Sequence, residues 1–243
     1  NFARVYRDAR NAPDKKFVKL VDFEFYDPSY AEPASFIASP IYEGDMKIGV
    51  LVFQVPIDEI NRVMTGNYNW RNEGLGESGE TYIAGSDYKM RNDSRFVIEE
   101  PDRYFKLLEQ IGTDKEVINQ IKLHLTSIMF QEIRTEAVED ALKGNADTKI
   151  IDDYRGVPVL SSYVPLNIDD VNWVMLSEID KKEAFSSLDV IRDRIILGIL
   201  VVSALVTIIT FFISKRISMP ILQLTNSIDD ISKGGLLKKI TIT

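Results

Sequence analysis

The run Val171-Asn-Trp-Val-Met-Leu-Ser-Glu-Ile179, followed by Asp180 and a helical pattern over 181–194, decides how this chain is read. Its aliphatic, β-branched and aromatic residues predict a strand. Asp180 stands at a helix N-cap position, where a carboxylate can accept from the first free backbone N–H groups. The same order occurs earlier in the chain. Residues 47–55, KIGVLVFQV, read as a buried strand; Pro56-Ile-Asp58 reads as a cap, and 59–64 as a short helix. A hairpin is predicted ahead of each strand. One joins 35–42 through Glu43-Gly44-Asp45; the other joins 147–154 through Arg155-Gly156 to 157–163. Two copies of one α+β unit follow. Residues 102–143, between Pro101 and Gly144, are expected to be helical.

Past the second unit the chain turns apolar. Residues 195–213, IILGILVVSALVTIITFFI, carry no charge, and at about 1.5 Å per residue they match a hydrocarbon core of roughly 30 Å. A transmembrane helix is predicted there, with 181–194 as a juxtamembrane helix running into it. Lys215-Arg216 after the span place the C-terminal side in the cytoplasm, although Arg192 and Arg194 flank the other end. Residues 195–243 hold five Lys and Arg against two Asp and Glu, in a chain whose net charge is −8. The acidic excess therefore belongs to the extracytoplasmic part, and nothing in the charge pattern points to nucleic acid. Because the chain starts at Asn1 without a methionine, it is read as a fragment.

From Ser214 onward, Ile217, Ile221, Leu224, Ile228 and Ile231 are spaced 4, 3, 4, 3, the seam of a coiled coil. Pro220 falls in the first turn of that helix and Gly234-Gly235 at its end. With its basic entry, Arg216-Ile217, Pro220 and Leu224, the segment resembles the first helix of a HAMP linker, covering 214–243 in part. A lone seam buries nothing in a monomer, so a parallel homodimer is expected.

Enzyme chemistry finds little support. The chain has no cysteine and a single histidine, His124, expected on a helix surface. No thiolate or multi-histidine metal site, cysteine nucleophile or Ser-His-Asp set can be assembled. Gly74-Leu-Gly-Glu-Ser-Gly79 matches G-x-G-x-x-G, but the polar stretch 67–73 precedes it and the strand-like 80–84 follows. A dinucleotide cradle needs a strand before the glycines and a helix after them. The motif is read as a loop entering a strand, and no cofactor is implied.

Several strings resemble the extracytoplasmic double-Cache (PAS-like) sensor of bacterial receptors: Glu32-Pro-Ala-Ser-Phe-Ile-Ala38, Ile48-Gly-Val-Leu-Val-Phe-Gln54, Ile57-Asp-Glu-Ile-Asn-Arg-Val-Met-Thr65, Gly85-Ser-Asp-Tyr-Lys-Met-Arg-Asn-Asp-Ser-Arg-Phe96 and Asp152-Asp-Tyr-Arg-Gly-Val-Pro-Val-Leu-Ser-Ser-Tyr163. The resemblance implies an α+β fold of tandem Cache units, then one transmembrane helix and part of a HAMP linker. Residues 1–66 would be the C-terminal part of the membrane-distal unit and 73–180 the membrane-proximal unit, each built on a five-stranded sheet. It also implies small-molecule sensing at the inner (plasma) membrane, with a conformational signal passed through HAMP to a cytoplasmic output. An adenylate/guanylate cyclase is the expected output; a chemoreceptor, sensor kinase or phosphatase receptor is the alternative. A membrane-anchored extracytoplasmic enzyme fits least.

Candidate ligand residues lie in both units. Arg91, Asp93 and Arg95 alternate along 90–96 and so point to one face. Arginine offers a planar fork for a ligand carboxylate, which would suit an anionic or zwitterionic metabolite. A solvated or structural ion-pair row would use the same residues. Tyr154, Ser162 and Tyr163 are placed in the same pocket or in hairpin packing. Tyr26 and Tyr30, within Phe23-Glu-Phe-Tyr-Asp-Pro-Ser-Tyr30, either close over a small ligand or form a core edge.

Overall fold

The computed structural model describes residues 1–232. Residues 1–185 form one compact unit, and the helical segment from Ser186 forms a second. In the first, α1 (Phe2–Asn11) precedes β1 (Lys19–Tyr26), β2 (Glu32–Glu43) and β3 (Met46–Gln54), an antiparallel sheet in the order β1-β2-β3. After α2 (Ile57–Met64), a second antiparallel sheet is ordered β4-β7-β6-β5, from β4 (Glu80–Gly85), β5 (Asp147–Asp152), β6 (Pro158–Ile168) and β7 (Val171–Asp180). Both predicted hairpins form, β2 with β3 and β5 with β6. Their turns carry Gly44 and Gly156 at positive φ, where glycine avoids the Cβ clash. The sheets have three and four strands; five were expected of a complete unit, and residues 1–66 were expected to hold only part of one.

Helices were less legible. The predicted 102–143 helix is divided into α4 (Pro101–Gln110), α5 (Lys115–His124) and α6 (Glu136–Leu142), preceded by α3 (Arg95–Glu99). Gly112 at positive φ ends the first of these, and Asp114 caps α5 by accepting from the Glu116 N–H. α2 starts at Ile57 with Pro56 at the N-cap, so Asp58 sits inside the first turn instead of capping it.

The two faces of the second sheet bury different partners. Tyr82, Ala84, Val174, Leu176 and Tyr163 pack under α4, α5 and α6 in one apolar cluster. On the other face Ile83 and Trp173 join Phe23 of β1, with Ile57, Ile60 and Met64 of α2 packed against them. Burying each such side chain contributes roughly 1.5–3 kcal/mol, so these clusters set the strand phase. The β1–β2 register slips between Val21 and Glu24, a bulge at Asp22 and Phe23. Bulges re-aim side chains. Here Phe23 stacks on Trp173 at 6.0 Å, and Asp22 accepts from the Trp173 indole N–H at 2.9 Å.

α7 (Lys181–Ala184) closes the first unit. Phe185, at φ −101° and ψ 0°, ends it, so the continuous 181–194 helix expected from the sequence is interrupted. The second unit begins with α8 (Ser186–Ile213), passes through a π-helical turn at 214–218, and ends in α9 (Met219–Ser232). Its apolar stretch reaches a mean hydropathy of 2.8 with no part buried, a helix of membrane-span type. Gly234-Gly235, the rest of the predicted HAMP segment and the side chain of Ile231 lie outside the described residues.

Candidate functional site

Residues 90–96 are not a strand. Lys89 and Met90 make isolated bridges, the chain bends at Arg91 and Asn92, and α3 begins at Arg95. The three predicted ligand residues consequently point to three different places. Arg91 Nε and Nη2 donate to Asp22 at 2.8 and 2.9 Å, and Nη2 also donates to Asp87 at 2.8 Å. Asp93 accepts from the Asn61 side chain of α2 at 2.7 Å and from Thr126 Oγ1 and the Ser127 N–H at 2.6 and 2.8 Å. Arg95 donates to Glu99 at 2.6 Å and to the carbonyls of Gly79 and Gly76 at 2.6 and 3.1 Å, with its guanidinium over the Trp70 ring. Within five residues the chain holds the first sheet, α2 and the glycine loop.

The glycine loop grips an anion from its own chain. The N–H groups of Glu77 and Ser78 each donate to the Glu183 carboxylate at 2.8 Å, and the Ser78 hydroxyl donates to it as well. Successive backbone N–H groups of this kind form an anion nest. Burial pushes the Glu183 pKa up, but the Ser78 hydroxyl and the two amides outweigh it and hold the group below the usual carboxylate range. Gly76, at φ +59°, leaves the space: a Cβ there would lie 2.2 Å from Glu183 Oε1. Glu183 belongs to α7, so the loop clasps the helix that leaves the second sheet.

Under the helices lies a buried polar network. Glu80 and Glu178 are direct cross-strand partners on β4 and β7, each 2% exposed. Glu80 accepts from the Tyr154 hydroxyl at 2.6 Å and from the Arg95 N–H at 3.1 Å; Tyr154 also lies 2.7 Å from Ser94 Oγ. Glu178 Oε2 accepts from the Tyr82 hydroxyl at 2.9 Å. Arg155, stacked on Phe96, donates to Asp153 and Asp180 at 2.6 and 2.9 Å. Burial raises the pKa of Glu80 despite Arg155 and the Tyr154 hydroxyl, and burial lifts Tyr82, Tyr104 and Tyr154 well above the ordinary phenol value.

Two of the cavities among the described residues lie beside these polar groups. One, of about 280 Å³, is lined by Phe96, Tyr104, Leu107, Arg155 and Asp180, and its guanidinium is already neutralised by two carboxylates. The other, of about 540 Å³, opens between the end of the first sheet, α2 and the loop after α5. Glu32, Gln54, Asp58, Asn61, Asp93, His124 and Thr126 line it, and its three carboxylates face no Lys or Arg in that lining. His124 ends α5 and stacks on Phe130 at 5.3 Å.

In fold the chain is similar to bacterial chemoreceptor sensor domains. The ligand-binding domain of the Pseudomonas fluorescens chemoreceptor CtaA, in complex with L-alanine, aligns with a TM-score of 0.40 and 13% identity over 74% of this chain and 61% of that one. The corresponding domain of the Pseudomonas aeruginosa PAO1 amino acid chemoreceptor PctC, in complex with GABA, gives 0.39 and 14% over 72% and 60%. The periplasmic sensory domain of the Campylobacter jejuni chemoreceptor Tlp1 gives 0.41 and 14% over 75% and 56%. The chain thus aligns with about 60% of the length of such domains. No protein-family model and no curated protein matches it.

The remaining predicted residues are dispersed. Tyr154 joins Glu80 and Ser94, whereas Tyr163 donates to Asp140 at 2.9 Å beside Lys149. Ser162 is exposed and accepts from Thr148 at 3.1 Å. Tyr26 packs edge-on against Phe36, and Tyr30 is 92% exposed in the left-handed region. Of the eight candidates, Asp93 alone lines the cavity of about 540 Å³. Glu183, Glu80 and Glu178 went unpredicted. Glu178 had a signal, since it shares strand phase with the buried Leu176 and Val174. Among the described residues no cluster suited to a metal ion occurs.

Proposed function

We propose that residues 1–185 are the extracytoplasmic sensor of a membrane receptor and that the cavity of about 540 Å³ receives its small-molecule stimulus. The observation that carries this reading is that Asp93 belongs both to the cavity wall and to the five-residue segment whose Arg95 holds the glycine loop on Glu183. A ligand that displaces Asp93 therefore acts on α7, the element before the apolar helix, through contiguous hydrogen bonds. It shifts signalling only by its differential affinity for two arrangements of that path. Glu32, Asp58 and Asp93 make the wall acidic, which favours a small molecule carrying an ammonium or other cationic group over the anionic ligand expected for Arg91. The tandem-unit division at 1–66 and 73–180, a HAMP linker at 214–243, homodimerisation and a nucleotide cyclase output belong to the same proposal. A chemoreceptor output suits this sensor equally well.

The test is binding of amino acids, polyamines and quaternary amines to the full chain in lipid nanodiscs by calorimetry. Asp58, exposed on α2, is the residue to vary. Asp58→Asn should weaken the tightest binder more than tenfold, about 1.4 kcal/mol. Unchanged affinity would remove this cavity as the site.

A further inference from the structure

The Glu80–Glu178 pair lies outside the cavity and meets the path just described only where Glu80 accepts from the Arg95 N–H. Two carboxyl groups on opposed residues of β4 and β7 are buried on one face of the sheet. Two adjacent anions removed from water are untenable unless cations compensate them. The groups facing the pair are Tyr82 on β4, Asp153, Tyr154 and Arg155 in the turn between β5 and β6, and Tyr104 on α4. Arg155 is the one cation of this set, and it is engaged by Asp153 and Asp180. Folding therefore favours a proton on one of the two carboxyls.

The hydrogen bonds say which. Glu80 accepts from the Tyr154 hydroxyl and the Arg95 N–H, two donors that favour its anion, while Ser94 donates to the Tyr154 oxygen. Glu178 accepts from Tyr82 through Oε2, while Oε1 is buried without a partner. Across the strand Ser161, the direct partner of Glu178 on β6, also has a buried hydroxyl oxygen without one. A proton on Glu178 Oε1 removes the second anion and supplies a donor beside that oxygen.

We propose that the Glu80–Glu178 pair is a proton-binding site, with the proton on Glu178, through which the second sheet responds to external pH. Burial, with the charges of Asp153 and Glu80 added, outweighs the nearby Ser161 and Tyr82 hydroxyls and pushes the Glu178 pKa up to about 7, which brings the exchange into the physiological range. Because the folded pKa is raised, the stabilising proton is fully present below the usual carboxylate pKa of about 4.3 and is lost as pH rises through about 7. Losing it sets two anions side by side in the β4–β7 ladder. Glu178 stands two residues before Asp180, where β7 gives way to α7. The stimulus here is the proton itself, independent of any ligand in the cavity.

The experiment is pH-difference infrared spectroscopy of the full chain in nanodiscs. One buried carboxylic C=O band should disappear as pH is raised from about 6 to about 8, and Glu178→Gln, a neutral isostere, should abolish that change. Glu80→Gln should move the midpoint down, since it removes the neighbouring negative charge. Glu178→Asp keeps a carboxyl but shifts its midpoint, and assigns the band should the glutamine variant not fold. Amide exchange in β4 and β7, corrected for its intrinsic pH dependence, should rise with the same midpoint. Absence of the band in the wild type, or its persistence in Glu178→Gln, would overturn the site; exchange that ignores the midpoint would overturn the response of the sheet.

Discussion

Arg91 closes a two-pronged ion pair on Asp22, Nε to Oδ1 and Nη2 to Oδ2, and so ties the bulge of β1 to the start of the second sheet's helical layer. The fork suits a ligand carboxylate, as its chemistry suggested, but here the carboxylate is the protein's own. Asp22 also receives the Trp173 indole N–H, so one side chain joins three elements. Arg91 is 2% exposed and Asp22 29%.

Removing Arg91 leaves Asp22 and Asp87 without their cation. Arg91→Ala should cost about 3 kcal/mol, the lower end for a broken buried pair because Asp22 keeps some water. Arg91→Lys should recover only part of this, since a point charge cannot serve both oxygens in the fork geometry. Urea unfolding followed by tryptophan fluorescence reads the loss, and an unchanged midpoint would show that the pair contributes nothing.

The clasp on Glu183 gives a pH dependence of opposite sign to that of Glu178. Its folded pKa is held low, so its contribution is present above the unfolded value of about 4.3 and is lost as pH falls through the folded one. Melting temperatures of wild type and Glu183→Gln should differ at neutral pH and converge in acid. A constant gap down to about pH 3 would mean that the carboxylate charge plays no part.

Gly76 and Gly74 separate the backbone cost from the contact. Both have positive φ, +59° and +86°, so alanine at either incurs about 1–2 kcal/mol of left-handed strain. At Gly74 a Cβ meets nothing within 4 Å, whereas at Gly76 it collides with Glu183 Oε1. Gly76→Ala should therefore destabilise more than Gly74→Ala, and the excess should vanish in a Glu183→Ala background. An excess that survives there would assign the strain elsewhere.

These features show what was readable from letters alone. Both hairpins were legible because their period-2 runs are broken by Gly44 and Gly156, and the apolar helix because no charge interrupts it. The site was not, since three residues alternating in sequence share a face only if the backbone is extended, and the bend at Arg91 and Asn92 disperses them. That bend is fixed by tertiary hydrogen bonds: the Arg91 N–H to the Ile83 carbonyl, and the Asn92 side chain accepting from the Ile83 N–H. The glycine motif is a loop that enters a strand, β4, as its neighbours in sequence indicated. Its anion-holding backbone was nevertheless in use, for a carboxylate about a hundred residues on.

The apolar seam after the membrane-type helix supplies the last prediction. Ile217, Ile221, Leu224 and Ile228 are 55, 57, 38 and 63% exposed in the single chain. Ile221, Leu224 and Ile228 follow the 3, 4 spacing on one face of α9, while Ile217 falls in the wider π turn, whose hydrogen bonds reach one residue further. If two chains pair through this face, single cysteines at 221, 224 and 228 in this cysteine-free protein should crosslink faster than cysteines at 219, 223 and 226. Position 217 then reports whether the seam carries through the π turn: a rate like that at 221 means that the dimer has regularised the turn, and a low rate means that the phase breaks there. Equal rates at seam and off-seam positions would exclude the paired helices and, with them, a signal carried by repacking of the seam.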